Sequence, residues 1–111
     1  MEKRMDKKQV LELLETLKID KSEFYILSSC ALVLRDLFDS AGDLDIGVTK
    51  KGLEQLKRNY DLKQKENGWY IVNDKVECVL ATLEGKVEKI GDYYLLTLFL
   101  LFHILTYLFL F

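Results

Sequence analysis

Apolar positions recur at two different periods along the chain, and the change of period separates predicted helices from predicted strands. A first set, at three- and four-residue spacing with Glu and Lys between its members, predicts an amphipathic helix over about residues 6–18. Its apolar members are Val10, Leu11, Leu13, Leu14 and Leu17. The same spacing returns over residues 30–38, and a third helix follows Thr49, a candidate N-cap, to about residue 60.

Short apolar or alternating runs predict strands between and after these helices. Residues 24–27 form an aromatic and β-branched run, and residues 43–48 form a second extended segment after a turn at 39–42. Asn67-Gly68 and Asn73-Asp74 are turn signals that separate three more extended segments. Those segments are residues 62–65, 69–72 and 75–80. The predicted order is α-β-α-β-α-β-β-β, an α/β (α+β) fold with a mixed, mainly antiparallel sheet and helices packed against it.

The end of the chain differs from everything before it. Residues 93–111 contain eight Leu and four Phe but no Asp, Glu, Lys or Arg. This change predicts a domain over residues 1–92 and a hydrophobic C-terminal tail, helical in character, over residues 93–111. Three interpretations stay open: a membrane anchor with Lys86 and Lys89 on the cytoplasmic side, a buried helix that covers the sheet, or an altered end. An exposed apolar tail would drive self-association or membrane attachment.

Composition argues against several classes of function. The formal net charge of −2 over 111 residues gives no overall field that would attract nucleic acid. Two cysteines, Cys30 and Cys78, without a CxxC motif and with a single histidine, argue against a structural zinc site. Isolated thiols and a charged start without the character of an export signal favour a cytoplasmic location. Membrane association through the tail is the alternative.

Asp43 and Asp45 are the strongest candidates for chemistry. Successive strand side chains alternate between the two faces of a sheet, so these carboxylates point the same way while Leu44 and Ile46 point into the other layer. Like charges this close disfavour each other's ionisation, and a bound divalent cation removes that conflict. The pair therefore predicts a magnesium site.

Two segments of the chain resemble the signature of the nucleotidyltransferase superfamily with the polymerase-β-like fold. They are Tyr25-Ile26-Leu27-Ser28-Ser29-Cys30-Ala31-Leu32 and, after a gap, Gly42-Asp43-Leu44-Asp45-Ile46. The signature consists of a strand, a Gly-Ser or Gly-Gly pair, a helix, and a strand that bears Asp-x-Asp. The resemblance covers about residues 24–83. Within the superfamily, the chain resembles small bacterial and phage proteins of this type, including those of abortive-infection and toxin–antitoxin systems.

This resemblance implies a role for five residues. Asp43 and Asp45 would hold two Mg²⁺ ions, and Glu77, on a later strand, would be the third carboxylate that completes the metal site or helps to deprotonate the attacking hydroxyl. Ser28 and Ser29, at a strand-to-helix junction, would bind the phosphates of the nucleotide. The chain departs from the family pattern at Ser28, where the family has glycine.

The implied reaction is the transfer of a nucleoside monophosphate from NTP to a hydroxyl group on a protein, an RNA or a small molecule. The alternative is a catalytically degenerate module with this fold, which acts by binding a partner or a membrane through the tail. The two predict opposite results for magnesium-dependent NTP binding.

Overall fold

A computed structural model describes residues 3–81 and 87–96 of the chain. Within these ranges it has three α-helices and one seven-stranded sheet. The helices are α1 (Lys7–Thr16), α2 (Ser28–Leu34) and α3 (Lys50–Asn59). The strands are β1 (Phe24–Leu27), β2 (Leu44–Val48), β3 (Lys63–Gln64), β4 (Tyr70–Ile71), β5 (Val76–Leu80), β6 (Val87–Ile90) and β7 (Tyr93–Leu96).

Local capping fixes the start of two helices. The Asp6 carboxylate accepts a hydrogen bond from the Gln9 backbone N–H at 2.9 Å, and the Gln9 side chain accepts one from the Asp6 N–H. This reciprocal capping box begins α1. The Thr49 hydroxyl accepts a hydrogen bond from the Gly52 N–H at 3.0 Å, which confirms the predicted N-cap of α3.

The second helix is displaced from its predicted range of residues 30–38. It begins at Ser28, directly after β1, and ends at Leu34. Asp36 lies in the left-handed region with φ 62°, which an α-helix cannot continue through. Leu37 and Phe38, predicted as helical, are exposed residues of the following loop.

The sheet is mixed, with strand order β3-β4-β5-β2-β1-β7-β6. Antiparallel pairing joins β1 to β2, β6 to β7, and the three strands β3, β4 and β5 in a meander, as predicted after the third helix. Parallel pairing joins β2 to β5 and β1 to β7. The predicted mixed α/β class is therefore confirmed, although β3 and β4 are shorter than the predicted extended segments.

The strands β6 and β7 lie outside the predicted order of elements. Tyr93–Leu96 forms β7, which pairs with β1 in the interior of the sheet, so the first four residues of the predicted tail belong to the sheet. The predicted C-terminal helix is therefore wrong for these four residues. Residues 97–111, the rest of the predicted tail, lie outside the described residues.

The hydrophobic core lies on one face of the sheet. Alternate strand residues with exposures of at most a few per cent pack there against the buried side chains of the helices. The strand contribution comes from Phe24, Ile26, Leu44, Ile46, Val48, Val76, Cys78, Tyr93 and Leu95. The registers Ile26↔Ile46, Ile46↔Cys78 and Ile26↔Leu95 place these side chains in continuous rows across four strands.

Arg35 ties the end of α2 to the last two strands. Its side chain is only 8% exposed, and its guanidinium donates hydrogen bonds to the Leu96 carbonyl at 2.8 Å and to the Glu88 carboxylate at 3.1 Å. Charged hydrogen bonds with such restricted access to water are stronger than exposed ion pairs. This contact holds β7 beside β1.

The other face of the sheet carries the alternate residues of the same strands, including Leu27, Asp45 and Glu77. On this face the ring of Tyr25 lies over Gly47, its direct partner across β1 and β2. Tyr25 is buried, and the missing side chain of residue 47 gives its ring the room that it occupies. Within the described ranges, no helix is long and apolar enough to cross a membrane.

We expect Gly47→Ala to lower the free energy of unfolding by about 1–3 kcal/mol, because a Cβ at residue 47 would overlap the far ring atoms of Tyr25. Urea denaturation measures the change. Tyr25→Leu lacks those ring atoms, so the double variant Tyr25→Leu plus Gly47→Ala should lose less than the sum of the two single losses. Simple additivity of the two losses would contradict this account of Gly47.

Candidate active site

The parallel pairing of β2 with β5 brings two of the predicted site residues together. Asp45 is the direct register partner of Glu77, and neighbouring strands lie about 4.8 Å apart. Both side chains are partly buried and lie on the face opposite the core. The sequence separates these residues by more than thirty positions, and the sheet makes them neighbours.

Asp43 lies just before β2 and is exposed. Its backbone is fixed from two sides, since its carbonyl accepts a hydrogen bond from the Cys30 thiol at 3.1 Å and the next N–H, of Leu44, donates to the Lys75 carbonyl at 2.7 Å. The Lys75 ammonium also donates to the Gly42 carbonyl at 3.3 Å. These contacts fix the entry to β2 and hence the spacing of Asp43 from Asp45. Asp43, Asp45 and Glu77 are called the carboxylate cluster below.

Ser28 and Ser29 lie where β1 ends and α2 begins, beside Asp45 in the adjacent strand. Leu27, the last residue of β1, is the register partner of Asp45. Ser28 has φ 55°, in the left-handed region that favours glycine, and no side chain caps the start of α2. The position where the family pattern has glycine therefore has the backbone conformation that glycine adopts most easily.

Burial and neighbouring charge both act on Asp45. Its partial removal from water raises the pKa of its carboxyl group, and the nearby carboxylates of Glu77 and Asp43 raise it further. The Lys65 ammonium and a hydrogen bond from the Ser28 side chain lower that pKa and partly oppose the rise. Asp45 is thus the member of the carboxylate cluster whose ionisation the other two oppose.

Lys65 is a residue of this site that the sequence did not indicate. Its ammonium donates to Glu77 Oε1 at 2.8 Å, and the two side chains are 40% and 27% exposed. Lys65 follows β3. The pairings Lys63↔Ile71 and Ile71↔Glu77 align β3, β4 and β5, so that the end of β3 lies on the same side of the sheet as Glu77. Only this strand register could have identified it, because nothing in the local sequence distinguishes Lys65 from the other lysines.

The donor atoms of the carboxylate cluster suit magnesium, which prefers oxygen ligands and binds through carboxylates and phosphate oxygens. Their present arrangement does not enclose an ion. Among the residues that the structure describes, no group of three or more His, Cys, Asp or Glu side chains is placed so that it could hold a metal. Glu77 is paired with Lys65 instead.

The two cysteines are buried thiols on the core side of the site. Burial raises the pKa of Cys30 to about 12 and that of Cys78 to about 11, and the nearby carboxylates add to both shifts. A thiol with so high a pKa is a poor nucleophile and a poor metal ligand at neutral pH. Both residues therefore act as small core side chains beneath the carboxylate cluster.

Comparison with protein-family models, with curated proteins and with solved structures finds no match to this chain. The nucleotidyltransferase resemblance therefore stays a prediction from the motif residues. The mixed sheet, the strand-to-helix junction at Ser28 and the neighbouring Asp45 and Glu77 are structural facts that do not depend on it.

We expect Ser28→Gly to be more stable than Ser28→Ala by about 1 kcal/mol, because both lose the hydroxyl but only glycine relieves the left-handed backbone. Urea denaturation of the two variants at one pH measures the difference. An alanine variant as stable as the glycine variant would show that the conformation at residue 28 carries no strain.

The raised pKa of Asp45 predicts a specific pH dependence. Between the ordinary aspartate pKa and the raised one, the folded protein keeps a proton that the unfolded chain has released, so stability falls as pH rises through this window. Asp45→Asn should not show this decrease in the free energy of unfolding. It should therefore be more stable than the wild type at neutral pH, and the difference in stability should become smaller in acid. Unfolding free energies from pH 3 to 7 test this, and Asp74→Asn, in an exposed turn, is the control. A constant difference between wild type and Asp45→Asn across this range would refute it.

Proposed function

We propose that this protein is a magnesium-dependent nucleotidyltransferase that moves a nucleoside monophosphate from NTP to a hydroxyl group of an acceptor. The acceptor is a protein, an RNA or a small molecule. The observation that carries the proposal is the register of β2 and β5, which makes Asp45 and Glu77 direct neighbours on the side of the sheet away from the core. Ser28, the first residue of α2, supports it by its place next to Leu27, the register partner of Asp45.

Each site residue has a role in the proposed reaction. Asp43, Asp45 and Glu77 would hold Mg²⁺, which when bound neutralises charge on the attacking and leaving oxygens. Glu77 would also accept the proton of the attacking hydroxyl, directly or through water. Ser28 and Ser29 would bind phosphate oxygens through their hydroxyl and backbone N–H groups.

Access to this site is consistent with nucleotide binding. The core and the buried faces of α1, α2 and α3 lie on the other side of the sheet. Asp43 is exposed, and Asp45 and Glu77 keep part of their surface in contact with water. A highly charged triphosphate could therefore approach the carboxylate cluster without passing through the core.

A second candidate function is binding without catalysis, by a degenerate module of this type. Two observations favour it: Ser28 adopts a left-handed conformation where the family has glycine, and Lys65 already pairs with Glu77. A serine Cβ can also obstruct the close approach of phosphate to the backbone. This candidate would act through a partner or membrane surface and would not bind NTP with magnesium.

Titration calorimetry of the full chain with a non-hydrolysable NTP analogue separates the two candidates. We expect binding that requires Mg²⁺ and that Asp43→Ala plus Asp45→Ala weakens at least about a hundredfold, because that variant keeps one of three carboxylates. The control is Asp61→Ala plus Asp74→Ala, which removes the same charge from exposed positions outside the site. Circular dichroism checks that each variant folds.

Equal binding by the site variant and the control variant would refute the assignment of Asp43 and Asp45. An absence of magnesium-dependent binding by the folded wild type would favour the degenerate module.

A further inference from the structure

A cavity of about 610 Å³ opens along α1, on a side of the helix away from Val10 and Leu14, which are buried in the core. Leu11 is the middle residue of its wall, and within the described ranges the rest of that wall also belongs to α1. The other wall residues are Lys7, Lys8, Glu12 and Glu15. Their aliphatic stems are apolar, so an apolar chain can pack along them while the charged groups stay in water. This cavity is called the α1 groove below.

Both ends of the α1 groove lie close to β7. At one end the Glu15 carboxylate accepts a hydrogen bond from the hydroxyl of Tyr93, the first residue of β7. At the other end Lys7 forms an ion pair at 3.1 Å with Asp36, which directly follows the arginine that binds the Leu96 carbonyl. The chain therefore leaves the sheet near the Lys7 end of the groove.

A further apolar side chain lies on this side of α2. Leu32 is 3% exposed, yet it does not belong to the core that contains its neighbours Ala31 and Val33. It precedes Arg35 by three residues, so the two side chains lie on the same side of the helix. The Arg35 side chain reaches the Leu96 carbonyl from there. Leu32 therefore marks an apolar site, apart from the core, close to the point where the chain leaves β7.

The sequence after Leu96 has the composition that such a groove requires. Residues 97–111 contain six Leu and four Phe but no Asp, Glu, Lys or Arg. Leaving them in water costs about 25 cal/mol for each Å² of apolar surface. Fifteen residues are about 22 Å long even as a helix, whereas the ten residues of α1 span about 15 Å. The segment is therefore long enough to follow the whole groove from its Lys7 end.

We propose that residues 97–111 dock into the α1 groove of their own chain, beginning beside Leu32 at its Lys7 end and covering Leu11. The partner of this segment is then its own domain, and neither a membrane nor a second copy of the chain. The docked segment adds a third link between β7 and the helices, besides those made by Tyr93 and Arg35. None of these residues belongs to the carboxylate cluster, so the docking does not depend on the proposed function.

Double electron–electron resonance on the full chain tests the docking. Spin labels on Thr16→Cys, an exposed position at the end of α1, and on Thr106→Cys report the distance between α1 and the segment. Burial raises the pKa of Cys30 to about 12 and that of Cys78 to about 11, so these thiols react poorly with the label. Docking predicts one narrow distance distribution centred below about 30 Å, because α1 is only about 15 Å long. A segment free in water would give a broad distribution.

Three variants of the labelled chain locate the contact. Leu11→Asp places a charge in the groove wall and should turn the narrow distribution into a broad one. Leu37→Asp, the same change at a leucine that is 59% exposed and outside the groove, should leave the distribution narrow. Leu11 also packs partly against the core, so Phe102→Asp, within the segment itself, is the second variant that should broaden the distribution. Circular dichroism checks that each variant folds.

The other possible partners of the segment give different results. Docking on a second copy predicts that an excess of unlabelled protein removes the short distance, whereas docking within one chain predicts no change on dilution. A membrane partner predicts that the wild type floats with phosphatidylcholine vesicles and that Phe102→Asp does not. Either of these results, a broad distribution in the wild type, or a distribution that stays narrow in folded Phe102→Asp would overturn the proposed docking.

Discussion

The register of β2 between β1 and β5 is the constraint on which the rest of the structure depends. Leu44, Ile46 and Val48 are fully buried on one face, while Asp45 lies on the other, beside Glu77. A slip of one residue would move a carboxylate into the core and three large apolar side chains out of it. The burial that stabilises the sheet therefore also fixes the position of the candidate site.

Much of the fold follows from local patterns in the sequence. The capping box at Asp6 and the hydroxyl cap at Thr49 act within three residues, and the strands β1 and β2 are apolar runs bounded by turn residues. Two features of the fold were not predicted from the sequence. The early end of α2 follows from the left-handed conformation at Asp36, and β7 is a strand because it pairs with β1, about seventy residues earlier.

Part of the candidate site could likewise be predicted from local sequence, and part of it could not. The two-residue spacing of Asp43 and Asp45 predicted that both point to the same face of the sheet. The change of pattern after residue 27 predicted that Ser28 lies at a strand-to-helix junction. The sequence indicates Glu77 only through the family resemblance, and its position beside Asp45 follows from the register of β5 on β2. The position of Lys65 depends in addition on the register of the β3–β4 hairpin. Side chains that meet across strands leave no periodic signal in the sequence, so charge pairs such as Lys65–Glu77 are found only in three dimensions.

The parallel pairing of β1 with β7 has a consequence for the order in which the chain can fold during its synthesis. β1 is made early and finds its partner β2 about twenty residues later, but its second neighbour is among the last strands that the structure describes. Until residue 96 has been made, one edge of β1 has no partner from this sheet and exposes unpaired N–H and C=O groups. The hydrogen bond from the Arg35 guanidinium to the Leu96 carbonyl likewise cannot form before Leu96 has been made. A nascent sheet that lacks β7 therefore has an apolar strand edge that favours association, and pairing with β7 covers that edge.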